Sequence, residues 1–285
     1  MPMSIDEQVQ NLQDIGLIVS DEEYAKKILN DISYFRLIKA YSLNLKTQNG
    51  KYNKGTTFEE IVGLYLFNAN FRQIIFPQIE KVEINVRCRV ANYFSQQYGV
   101  LGYLQAQNFS NEKYHADFLK EIKEEIRRNS KTPFVRNFRQ NYESVELPIY
   151  ALVEVLSFGT LSKFYKNMLN KDKKAVAKSF GVGYTYFESW LESISYVRNI
   201  CAHYGRLYNA KLSKRPMLYK EYTQAGIWNT RIFGVLLCLK HLLKNDYHWN
   251  IFVDTIELLF EKYESVQIDT MGFPTNWKNL LSSYA

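Results

Sequence analysis

Residues 57–98 read TFEEIVGLYLFNANFRQIIFPQIEKVEINVRCRVANYFSQQY. Side chains that can be buried return every three or four positions, at Ile61, Leu64, Tyr65, Asn68, Phe71, Ile75, Ile79, Val82, Val86 and Val90. That is the spacing of one face of an α-helix and not the alternation of a strand. Thr57 followed by Glu60 has the capping-box spacing that starts a helix. One long helix or two collinear ones are therefore expected, with a kink or break shortly before Pro77, because proline lacks an amide and crowds the preceding turn.

The same period extends outward in both directions. Ser20 with Glu23 repeats the capping signal before DEEYAKKILN, and KTQNGKYNKGTT (46–57) reads as an exposed loop from its Gly, Asn and Lys content. Further helices are expected at about 112–129, 148–157, 160–180, 184–204, 223–245 and 247–264. The basic stretch RRNSKTPFVRNFRQNYESVELP (127–148) reads as irregular, bounded by Pro133 and Pro148. Strand-like alternation is scarce, and no internal repeat, low-complexity tract or long Pro/Gly/Ser linker divides the chain. The fold class is all-α, with residues 1–55 as a small N-terminal helical extension on an all-α domain of residues 56–285.

With 285 residues and 46% hydrophobic content the chain can bury a large core. A net charge of +7, with 15% aromatic residues and 22 tyrosines, suits a polyanionic partner, and single-stranded nucleic acid in particular, whose phosphates pair with cations and whose bases stack on rings. The blander reading of the same composition is a basic protein whose aromatic residues sit in its core. Three widely spaced cysteines, Cys88, Cys201 and Cys238, point to a reduced cytoplasm. The N-terminus carries no signal-peptide pattern, and IFGVLLCL (232–239) is far shorter than the roughly 20 residues a membrane span needs, so no membrane role is expected.

Several chemistries lack their residues. There is no phosphate-cradling glycine loop and no Gly-flanked serine nucleophile. Cys238, His241 and His248 fit no zinc spacing, so no metal and no cofactor is expected. Glu80, Glu83 and Arg87 stand at helical spacing, which reads first as an intrahelical ion pair or support for a neighbouring helix. The lysine-rich run KFYKNMLNKDKKAVAKSF (163–180) reads as a solvated face.

The chemistry-bearing stretch is YVRNICAHYGRLYN (196–209). On a helical wheel Ile194, Val197, Cys201, Tyr204 and Tyr208 share one face, while Ser195, Asn199, Ala202, His203 and Arg206 gather opposite, with Arg198 at the flank. Gly205 suggests that the helix ends just beyond His203. One reading is structural, a histidine capping a buried helix. The other is half of a metal-free RNA-cutting site. An imidazole can take a proton from a ribose 2′-hydroxyl or give one to the leaving 5′-oxygen, a guanidinium can hold the phosphate, and Asn199, one turn before His203, can orient either. Arg206, Asn209, Lys211, Lys214 and Arg215 follow directly and are the candidate RNA contacts.

This motif resembles the signature of the Abi family of abortive-infection proteins, of the AbiD and AbiF type, whose core belongs to the HEPN ribonuclease superfamily. Three further blocks resemble the family in the same order: LNDISYFRLIKAYSLNL (29–45), GTTFEEIVGLYLFNANFRQIIFPQIEKVEINVR (55–87) and LPIYALVEVLSFGTLSKFYKNM (147–168), with SWLESISYVRNICAH (189–203) leading into the motif. The resemblance implies a HEPN-like helical bundle in which Arg198, Asn199 and His203 are catalytic, and cleavage that leaves a 2′,3′-cyclic phosphate and a 5′-hydroxyl. It also implies a site built from two copies of the motif. None of His115, His241 and His248 follows an arginine at this spacing, so a homodimer through helix 184–204 is expected. The implied restraint is a regulatory non-coding RNA or a protein encoded elsewhere. One departure is visible: the family usually has an acidic residue where Asn68 stands, whereas Arg72, Glu80 and Glu83 stand as the resemblance implies. Two other readings remain, an RNA-binding module that grips a structured RNA with weak or no cleavage, and a helical protein whose basic surface is incidental.

Overall fold

A computed structural model describes residues 3–141, 146–244 and 246–282. In chain order it contains α1 (Ile5–Asp14), α2 (Glu22–Asp31), a π-type turn (Phe35–Lys39) and α3 (Phe58–Tyr98). There follow α4 (Glu112–Arg128), α5 (Pro133–Asn141), α6 (Ile149–Val155), α7 (Phe158–Asn167), α8 (Asn170–Ser179) and α9 (Tyr184–Ala202). The last elements are α10 (Lys220–Gln224), α11 (Ile232–Leu242), α12 (Trp249–Lys262) and α13 (Trp277–Leu281). Among the described residues there is no strand beyond isolated bridges, so the fold is all-α.

The long helix forms as its period predicts, starting at Thr57, whose side chain accepts from the Glu60 amide at 3.1 Å. At 41 residues it spans about 60 Å and is the axis on which α6, α8, α9, α11 and α12 pack. The expected break at Pro77 is absent: the helix runs through it. Pro77 and Gln73, whose carbonyl loses its donor to the proline, both lie on the exposed side of the helix, where water can take the missing amide's place.

Other boundaries also differ from the sequence reading. α2 is capped by Asp21, which accepts from the Tyr24 amide at 2.9 Å, and not by Ser20. The helix expected over 160–180 is two helices, because Met168 and Leu169 are extended and Met168 pairs with Phe109. The helix expected from 223 begins at Ile232. The stretch expected to be irregular contains α5, which has Pro133 at its first position, where the missing amide is harmless.

Aromatic residues fill both ends of the core along α3. Phe67 and Phe71 pack with Tyr208, Phe260, Tyr263 and Phe273 at one end, and Phe94 packs with Phe109 and Phe164 at the other. Much of the aromatic content therefore serves packing. The N-terminal residues join this body through the Ile18–Thr57 bridge and through buried Leu37, Ile38 and Tyr41. No helix among the described residues is long and apolar enough to cross a membrane.

Candidate functional site

The first fourteen residues of α9 are anchored by Phe187, Trp190, Leu191, Ile194 and Val197, all 0–1% exposed. This places the motif where the helix emerges from the core. Asn199 and His203 are exposed one turn apart, and Arg198 is partly exposed beside them. His203 is the C-cap, and the helix ends there as Gly205 suggested.

The end of α9 is a Schellman turn. The Gly205 amide donates to the Ile200 carbonyl at 2.7 Å and the Tyr204 amide to the Cys201 carbonyl at 3.3 Å. Tyr204 holds the left-handed position, with φ 57°, where a side chain costs about 1 kcal/mol and glycine is usual. Glycine is spent one position later: a Cβ on Gly205 would stand 2.8 Å from Ile200 Cγ2 and 3.1 Å from its carbonyl oxygen. The wheel put Tyr204 on the buried face, but the helix has already ended, and the reversed backbone turns the ring outward to 68% exposure. Ser195, placed on the polar side, is buried and donates to the Glu192 carbonyl.

Asn68, fully buried on α3, locks the loop beyond the turn. Its Oδ1 accepts from the Leu207 amide at 2.8 Å and the Tyr208 amide at 3.0 Å, and its Nδ2 donates to the Gly205 carbonyl at 3.3 Å. A carboxylate here could accept from the same two amides, so the departure at this position keeps the loop-holding role.

Arginines surround the same loop. Arg36 donates to the Tyr204 carbonyl at 3.3 Å, Arg72 to the Cys201 carbonyl at 3.3 Å, and Arg206 to the Ala40 carbonyl. All three act electrostatically on Tyr41, whose hydroxyl burial pushes up to about 12 while their charges pull it down. Among the described residues none of the three has a carboxylate within ion-pair distance, and Arg72 Nε is buried without a partner.

Arg198 is held differently. Its Nε donates to Glu83 Oε2 at 3.3 Å, and the other oxygen of Glu83 accepts from Arg87, one turn along α3. Arg198 also lies over the Phe76 ring, 5.9 Å from its centre. Phe76 divides two surface hollows. One, of about 240 Å³, is lined by Arg198, Glu80, Glu83, Ile84, Arg87 and Glu154. The other, of about 500 Å³, is lined by Arg72, Gln73, Pro77, Cys201, Ala202 and Tyr204 among others.

The candidate RNA contacts divide into two groups. Arg206 bonds Ala40, and Asn209, at φ 48°, accepts from Arg231 at 3.2 Å, so both build the loop. Lys211, Lys214 and Arg215 are exposed, with Lys214 paired to Glu192 at 2.6 Å. Cys201 is no nucleophile, since burial pushes its thiol up to about 12. Cys238 is buried and bonded to the Gly234 carbonyl, and His241 faces Tyr222 and Trp190. Among the described residues no group of three or more metal-ligating side chains comes together.

Sequence reading did not single out Arg36 or Tyr204. Arg36 sits on the π-type turn, and Tyr204 owes its exposure to the helix end; neither has a local signal.

Fold and site together define an all-α protein with an Arg–Asn–His motif exposed at the end of a core helix. The sequence model of the Abi-like protein family matches residues 27–209, a span that contains α3, Glu83 and the whole motif. The chain belongs to the Abi-like protein family, which supports a role in abortive infection. Comparison with curated proteins and with solved structures returned no match.

Proposed function

We propose that this protein is a metal-independent endoribonuclease of the HEPN type, acting in abortive infection as a homodimer. The observation that carries this reading is that His203 and Asn199 face solvent at the end of a helix anchored in the core, while Arg198 beside them is oriented by a buried carboxylate from another helix. A structural cap would need neither that exposure nor the Glu83 tether.

In the reaction, neutral His203 takes the 2′-hydroxyl proton, the freed oxygen attacks the adjacent phosphorus, and the 5′-oxygen leaves with a proton from an imidazolium. The Arg198 guanidinium, tied through Nε, offers its terminal amines to the phosphate as charge develops. The products are a 2′,3′-cyclic phosphate and a 5′-hydroxyl. One base and one acid are needed, and each chain supplies one motif, so two subunits face each other across a two-fold axis. The C-terminal end of α9, where Asn199 is exposed, is accessible to a second copy. The exposed Ile84, 57% exposed on the neighbouring stretch of α3, gives that face apolar surface for a second copy. A partner RNA restrains the dimer, and Lys211, Lys214 and Arg215 supply backbone contacts.

The test compares the parent with His203→Ala for growth arrest on expression and for the ends of cellular RNA. Fragments with 5′-hydroxyl ends in the parent, absent from the variant, support the nuclease. A second reading, an RNA-binding module without cleavage, draws on the three arginines that have no carboxylate partner among the described residues. RNA that co-purifies equally with both proteins, uncut, favours that reading.

A further inference from the structure

The hollow on the Arg72 side of Phe76 has no part in the chemistry assigned to Arg198 and His203. Its outer wall is the Tyr204 ring, one residue from the imidazole, and Phe76, Pro77 and Ala202 continue the apolar surface. The ring stands in a strained left-handed position at a turn that glycine would fill without strain. The chain holds it there at 68% exposure, so packing does not account for it.

Charge is concentrated at the same place. Arg72 lies 5.8 Å from the centre of the Tyr204 ring, and Arg36 bonds the carbonyl of the same residue. Arg206 lies on the loop just beyond. The end of a helix presents about half a unit of negative charge, which three guanidinium groups far exceed. What remains is positive charge gathered around an open aromatic platform next to the imidazole proposed to take the 2′-hydroxyl proton.

We propose that this hollow is a nucleobase subsite. One unpaired base of a single-stranded RNA stacks on Tyr204 against the Phe76–Pro77 wall, and the phosphates flanking that nucleotide lie over Arg36 and Arg72. This inference rests on the reading of the chain as an RNA-directed protein. It adds that the cut falls beside an unstacked nucleotide. Because every base has a π-face, the subsite distinguishes unpaired from paired RNA and does not choose among the four bases.

The test uses the full chain carrying His203→Ala, which removes cutting, and follows binding of a labelled single-stranded RNA oligonucleotide and of a duplex of the same sequence. Adding Tyr204→Phe should leave both affinities unchanged. Adding Tyr204→Gly should weaken single-strand binding about tenfold, leave duplex binding unaltered, and not lower the melting temperature. Equal single-strand affinity of the Gly and Phe variants, while Arg36→Ala weakens it, overturns the subsite and leaves the RNA reading standing. Conversion of a dimer to a monomer by Tyr204→Gly overturns it as well, since the hollow then holds a second copy of the chain. Failure of the His203→Ala protein to bind either RNA, with no cutting by the parent, defeats the underlying reading and the subsite with it.

Discussion

Arg198 and Arg72 flank the same phenylalanine and are held in opposite ways. Arg198 bonds a buried carboxylate, Glu83, which is itself tied to Arg87. Among the described residues Arg72 bonds only a backbone carbonyl, keeps one buried donor unpaired and leans on an exposed tyrosine. An ion pair fixes a guanidinium in direction while lowering the net charge around it. A carbonyl contact leaves the whole charge available. The first arrangement suits a group that must meet a developing charge in one geometry, and the second suits attraction of a polyanion.

The largest effect expected from this contrast is on turnover. His203→Ala should lower cleavage by about 10²–10⁴-fold with RNA affinity retained, measured as 5′-hydroxyl ends formed per unit time; equal loss of binding and cleavage would show that the imidazole only holds RNA. Glu83→Gln removes the carboxylate that pairs with both Arg87 and Arg198, so about 3 kcal/mol of stability should disappear in urea unfolding. Arg72→Met should cost far less stability and act on RNA affinity instead. If the two variants behave alike, the contrast between the arginines is wrong.

Asn68→Ala strips the acceptor from two buried amides and should cost about 2 kcal/mol, read as a lower melting temperature. His241, remote from both arginines, is a control for pH effects. Its ordinary value is 6.5, and burial, aided by Lys240 and Lys244, pulls it down to about 4. The folded protein therefore keeps it neutral while the unfolded chain takes up a proton below 6.5. Its contribution to stability is complete above pH 6.5 and is lost as the pH falls toward 4. The loss should be about 1.5 kcal/mol after allowance for its partial exposure. His241→Gln should flatten that slope in unfolding experiments without moving the pH profile of cleavage. Smallest of all, Tyr204→Gly relieves the left-handed strain and should raise stability by about 1 kcal/mol.

The sequence carried what is periodic or capped. The Thr57 start of the long helix, the face that α3 buries and the end of α9 near Gly205 follow from spacing alone. What was missed depends on partners distant in the chain. Pro77 does not break α3, since it and Gln73, whose carbonyl loses its donor, both lie on the exposed side of the helix, and the split between α7 and α8 comes from pairing of Met168 with Phe109. In the site, Arg198, Asn199 and His203 were legible as a group because all three lie on one helix end. Glu83 was visible as a helical ion pair, yet its bond to Arg198 joins residues 115 positions apart. Arg72 was visible through the family resemblance and Arg36 was not singled out; what distinguishes the two is the carbonyls they meet and, among the described residues, the lack of a carboxylate partner. Tyr204 was placed inside because a wheel assumes that the helix continues.

The most direct test is a subunit-mixing experiment. Parent and His203→Ala chains are unfolded together in varied proportion, refolded as a mixture and assayed for RNA fragments with 5′-hydroxyl ends, with joint assembly checked by differently tagged subunits. Facing motifs predict that the mixed dimer, which keeps one imidazole where a base and an acid are needed, is as impaired as the variant alone, so that cutting falls with the square of the parent's share. A fall in simple proportion to that share, with mixed dimers present, would contradict a site shared between two chains.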